Sequence, residues 1–165
     1  MSTVENLSQK EKGLIAVAAS IASGCMPCTE QNIKSVGEAG ADQAEIREAI
    51  DTALGARNNA TNIMAEAAQG IPTTEYPIKA RSGSLEQPIN ELVWLGAALA
   101  ADSVTGLEYY LTRARAAGAS TRQIRTAIGI ARAIRREAAE KADAIVGSHI
   151  EPTLAEGAGT PCGCG

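Results

Sequence analysis

The chain contains no phenylalanine, one tryptophan and three tyrosines, so aromatics make up 2% of its 165 residues. A sheet draws on aromatic and β-branched side chains, and their scarcity beside abundant alanine favours closely packed helices. Long apolar runs are also missing: Leu14 to Ala22 falls well short of the ~20 residues a spanning helix needs, and the polar start MSTVENLSQKEKG offers no basic leader. Positive charge is not in excess. The net charge of −4 disfavours nucleic acid and anionic lipid as partners. Histidine occurs once, at His149, so the histidine pairs that complete many zinc sites are absent. What remains is the composition of an all-α protein, 45% hydrophobic and long enough to build a core, with the cytoplasm as its expected location.

Helix punctuation divides the chain. Ser8 with Glu11 resembles a capping box, and the helix it opens runs to Ser23 before Gly24. A second helix is expected from Cys25, with Pro27 in its first turn, to Gly40. Asp42 with Glu45 opens a third, running to about Ala68. Residues 69–88 hold three prolines and two glycines and read as a connection. The pattern then returns: Leu92 to Ala101 is apolar, Val104 to Ala117 suits a helix, and Ser120 with Gln123 opens a last one to about Val146.

An offset of 78 residues aligns AGADQAEIREAI (39–50) with AGASTRQIRTAI (117–128) without a gap. Across Leu14 to Thr61, 14 of 48 aligned pairs are identical, half of them alanine. Among the other seven are Glu30 with Glu108, Gly40 with Gly118, Ile46 with Ile124 and Arg57 with Arg135. The expectation is two tandem three-helix repeats, 1–68 and 89–148, followed by a flexible tail over 149–165. In this register Cys25 faces Ser103 and Cys28 faces Gly106, so only the first half carries a thiol pair.

Cys25 and Cys28 flank Met26 and Pro27 at an expected helix start. Residues three apart on a helix share a face, and their α-carbons fall within disulfide range. Free backbone N–H groups and the helix dipole favour a thiolate there. In a reducing compartment such a pair is more often redox-active or metal-binding than structural. No second CxxC follows to complete a zinc site. The plain alternative is two buried cysteines serving as small hydrophobes.

The GCxxC segment leading into a helix, the AGAxxxxI segment after it and the degenerate second copy together resemble the carboxymuconolactone decarboxylase-like superfamily, in particular alkylhydroperoxidase AhpD-like proteins. The resemblance implies an all-helical AhpD-like fold and a homo-oligomer, with a trimer expected for two repeats. It also implies thiol-dependent peroxide or disulfide reduction, with Cys28 attacking the peroxide and Cys25 resolving the sulfenic acid. No organic cofactor or metal is implied; an external dithiol, such as an electron-donor protein, restores the pair. The family's relay glutamate and histidine fall on Gly13 and Asn32 here, and a further histidine of some members falls on Pro27. Glu11 lies on the opposite side of its helix from position 13. Glu91 is the repeat counterpart of Gly13 but belongs to the half without cysteines. These departures handicap peroxidase turnover more than thiol exchange, which needs less proton management.

Glu30 is a candidate remote base acting through water, or else a helix-start glutamate placed by the dipole or paired with an arginine. Asn32 is a candidate hydrogen-bonding neighbour of the sulfurs, or else a polar surface residue. Cys162 and Cys164, in the terminal PCGCG, have three readings: auxiliary redox thiols feeding the CxxC pair, partners of it in a soft-metal or metalloid site, or a passive terminus. The metal-binding reading is the non-enzymatic alternative for the whole protein. A decarboxylase or structural ring protein of the same fold would not depend on the CxxC pair. His149 suits a helix end. Arg122, Arg125, Arg132 and Arg136 form a basic stripe at helical spacing, usually a solvated face. Trp94, Tyr109 and Tyr110 surround the cysteine-free counterpart site and are expected to fill core or interface space.

Overall fold

The computed structural model describes residues 6–72 and 83–150. Six helices account for the regular structure among them: α1 (Gln9–Ser23), α2 (Met26–Glu38), α3 (Gln43–Ala68), α4 (Ile89–Ala100), α5 (Val104–Ala116) and α6 (Thr121–His149). The all-α expectation holds. Ser8, Asp42 and Ser120 cap α1, α3 and α6, each with its reciprocal Glu11, Glu45 or Gln123. These boxes satisfy backbone N–H groups that the helices cannot pair internally. α6 continues three residues past Val146, its end held in part by a contact between His149 Nδ1 and the Ile145 carbonyl at 2.8 Å. The expected tail therefore starts after that helix; 151–165 lie outside the described residues.

α1 and α4 form the central pair. α1 packs against α2, α3 and α6 as well as α4, while α4 also packs against α3, α5 and α6. Both are lined with buried alanine: Ala18, Ala19 and Ala22 on one, Ala97, Ala98 and Ala100 on the other. Small side chains let helix axes approach, and the space between is filled by Leu14, Ile15, Val17, Leu92, Val93 and Leu95, all 1% exposed or less. Gly96 is required here, because a β-carbon on it would come within 2.8 Å of Ile15 Cγ2. A core with no phenylalanine is filled by aliphatic side chains at short helix separations.

The 78-residue offset recurs in the helix boundaries. α2 and α5 begin and end at corresponding positions, 26–38 and 104–116, and α3 and α6 begin at 43 and 121. Gly40 and Gly118 share φ of 88°, and each is followed by the same backbone bond, Ala41 N–H to the Val36 carbonyl and Ala119 N–H to the Ala114 carbonyl. α1 and α4 also stop alike. Gly24 takes φ of 76° and its counterpart Asp102 takes 57°, a conformation aspartate tolerates better than most residues.

Trp94, Tyr109 and Tyr110 pack together, as the sequence suggested. Tyr110 is 1% exposed, stacks on half-buried Trp94 at 5.1 Å and meets Tyr109 edge-on at 5.1 Å. The indole also reaches α3, where a β-carbon on Gly55 would stand 2.6 Å from Trp94 Cη2.

Candidate functional site

The chain turns from α1 into α2 through Gly24 and Cys25. The Gly24 and Cys25 N–H groups donate to the carbonyls of Ile21 and Ser20 at 3.0 Å each, closing α1 in a left-handed cap. Cys25 is at once the end of that cap and the N-cap of α2. Its Sγ accepts from the Cys28 N–H at 3.3 Å, and its carbonyl accepts from Thr29 Oγ1 at 2.9 Å. Pro27 lies in the first turn of α2, where its missing N–H leaves no bond unmade.

Cys25 and Cys28 are joined in a disulfide with a Cα–Cα distance of 5.3 Å. One turn of helix start holds both sulfurs, so opening the bond needs little backbone movement. Cys25 is 6% exposed and Cys28 3%, while Gly24, Met26 and Pro27 around them are exposed. The pair is thus shielded but lies next to a solvent-facing turn. Ser103 shows what the same position does without sulfur: its Oγ accepts from the Gly106 N–H at 3.1 Å.

The supporting candidates are less close-knit. Glu30 is the fifth residue of α2, beyond the first turn, and exposed. It makes no hydrogen bond or ion pair among the described residues, so neither the dipole nor an arginine accounts for it. Asn32 is half-buried one turn past Cys28. Cys162 and Cys164 lie outside the described residues. Among the described residues no cluster of three or more His, Cys, Asp or Glu side chains is placed to hold a metal ion. The stripe arginines Arg122, Arg125, Arg132 and Arg136 are all exposed, and Arg136 approaches Glu140 at 3.9 Å.

Gly13 has a steric cause. A β-carbon there would stand 2.7 Å from Val36 Cγ2, so α1 and α2 touch at this point and leave no room for a relay glutamate. Gly13→Ala is expected to destabilise the fold by about 1–3 kcal/mol, the usual cost of overpacking, and Gly13→Glu by more; chemical denaturation of the variants checks this. In the other half the counterpart of Val36 is Ala114, and Glu91 occupies the space. Glu91 is 3% exposed and bound by Arg113 through two hydrogen bonds, Nε to Oε2 at 2.9 Å and Nη2 to Oε1 at 2.5 Å. Gln87 Nε2 adds a third at 3.3 Å. The bond to Glu91 holds the Arg113 guanidinium protonated well above the ordinary arginine range. Nothing in the sequence pairs positions 91 and 113, which lie on different helices.

Arg57 was visible in the sequence only as a residue common to both halves. From α3 it reaches the α1–α2 turn, where Nη1 donates to the Ala22 carbonyl at 2.9 Å and lies 3.2 Å from where a Gly24 β-carbon would be. A guanidinium therefore stands beside the residue preceding Cys25.

Fold and site together define an all-helical protein carrying a disulfide between cysteines three residues apart at a helix start. Residues 1–69 match the carboxymuconolactone decarboxylase family, a span that covers α1, α2, α3 and the disulfide and supports the superfamily resemblance. No curated protein and no solved structure matches the chain.

Proposed function

We propose that the protein is an AhpD-like member of this superfamily, built from two tandem repeats, that performs thiol-disulfide oxidoreduction at Cys25 and Cys28 and reduces hydroperoxides slowly. The observation that carries this reading is the disulfide formed across the first turn of α2, with the Cys28 N–H directed at Cys25 Sγ. In the peroxide reaction the Cys28 thiolate attacks the terminal oxygen, releasing an alcohol and leaving a sulfenic acid. Cys25 then displaces water and closes the disulfide. An external dithiol attacks that bond, is itself oxidised, and returns both cysteines to thiols. The sum converts hydroperoxide and dithiol into alcohol, water and donor disulfide, with no other cofactor.

Peroxide turnover is slowed because Gly13 and Asn32 replace the relay, and loss of a general base commonly removes ~10²–10⁴ in rate. Exchange with a disulfide suffers less. The protein acts in the cytoplasm as a homo-oligomer, with a trimer the expected assembly. In support, α3 beyond Ala60 and α6 beyond Ile134 leave the core with Met64, Ile145 and Val146 exposed, and no helix is long and apolar enough to cross a membrane among the described residues.

The reading is tested by supplying reduced protein with dithiothreitol and either a small-molecule disulfide or an alkyl hydroperoxide. Catalytic reduction of both is expected, the disulfide faster. Failure to accelerate either reaction above the dithiothreitol background would contradict it.

A further inference from the structure

The two halves place the same arginine at the same point and treat its charge oppositely. Arg135 of α6 pairs with Asp102 Oδ1 at 2.5 Å. Its counterpart Arg57 faces Gly24, the counterpart of Asp102, and no carboxylate lies within ion-pair distance of it among the described residues. The half with the acid has Ser103 and Gly106; the half without it has Cys25 and Cys28. Both 24 and 102 adopt the left-handed conformation, so aspartate is sterically admissible at such a turn. The two turns therefore differ in charge as well as in room, since a β-carbon on Gly24 would stand 3.2 Å from Arg57 Nη1. Where sulfur is present, the guanidinium is left un-neutralised.

We propose that Arg57 is a positioning residue of the dithiol, whose charge stabilises the thiolate released at Cys25 when the disulfide opens. This rests on the exchange function proposed above. An incoming donor thiolate bonds to Cys28 Sγ, the Cys25–Cys28 bond breaks, and its electron pair goes to Cys25 Sγ. That sulfur already receives the Cys28 N–H. A cation next to the preceding residue lowers the energy of the anion but scarcely affects the neutral disulfide, so it favours the reduced form. Few other charges face the site. The last two turns of α1 carry no titratable side chain, α2 contributes exposed Glu30, and α3 contributes Arg57.

The sign follows. Removing the cation disfavours the Cys25 thiolate, so the disulfide becomes harder to reduce only where the thiolate is populated. The test is the equilibrium constant for reduction of the full-length protein against a dithiol buffer at pH 5 and pH 8, with thiolate absorbance giving the pKa. For Arg57→Gln the constant should fall several-fold at pH 8 and stay unchanged at pH 5; Arg57→Lys should retain most of the wild-type value. Gly24→Asp, which rebuilds the ion pair of the other half, should behave like Arg57→Gln, and Gly24→Asn like wild type. Should Arg57→Gln fail to fold, the Gly24 pair carries the test. A reversible wild-type couple with Arg57→Gln and Gly24→Asp unchanged, or shifted equally at both pH values, as loss of the Ala22 bond alone would do, overturns the role of Arg57 and leaves the exchange function standing. A wild-type pair with no reversible couple overturns both.

Discussion

Cys28→Ser should abolish both disulfide exchange and peroxide reduction, lowering turnover by about 10³-fold or more, because Cys25 is left with no partner thiol among the described residues with which to close the disulfide. Cys25→Ser should fail differently. One equivalent of peroxide is consumed, and Cys28 is left as a sulfenic acid, read as one added oxygen by intact mass spectrometry or trapped by a sulfenic-acid reagent. Neither change should unfold the protein. Ser103 already performs the N-cap with a hydroxyl in the other half, and Gly106 shows that the position of Cys28 requires no large side chain. This separates chemistry from folding. A decarboxylase or structural ring of the same fold would keep its function through both substitutions.

The second large effect is on stability. Arg113→Ala leaves the Glu91 carboxylate, whose side chain is 4% exposed, with only the 3.3 Å bond from Gln87. Breaking a buried pair from one side typically costs ~3–5 kcal/mol, because the remaining charge is neither hydrated nor neutralised. Urea denaturation at neutral pH should show a loss near the lower end of that range. Glu91→Ala should cost less, since Arg113 has 44% of its side chain exposed and can turn to water. Glu91→Gln together with Arg113→Met should recover much of the loss. The order of the two single variants is the informative result; the reverse order would show that Arg113, rather than Glu91, is the group that burial penalises.

The elements that were legible in the sequence are those set by local chemistry. Ser8, Asp42 and Ser120 announce their helices because a cap and its reciprocal partner lie three residues apart. Pro27 announces the start of α2 because a residue without an N–H suits the first turn of a helix. The 78-residue register was readable from the seven identical pairs other than alanine, among them Gly40 and Gly118, which share a backbone conformation few residues tolerate. What was not legible depends on helices meeting at a distance in sequence. Gly13 departs from the family pattern, but only its contact with Val36 gives the cause. Glu91 could be placed opposite Gly13, yet its bond to Arg113 spans two helices. Arg57 carried a signal in its repetition, but its approach to the α1–α2 turn needed α3 to be laid against α1. The fate of Cys162 and Cys164 belongs to the same class, since it depends on where another segment comes to rest.

The central claim is that the sulfurs of Cys25 and Cys28 pass reversibly between bonded and free forms. The most direct measurement is a redox titration of the full chain in dithiol buffers of graded potential, with alkylation of free thiols and mass spectrometry of the peptide holding both cysteines. A single reversible two-electron transition, reached equally from the oxidised and the reduced side, is predicted. A pair that stays unmodified across the whole range, or oxidises only irreversibly, would contradict it.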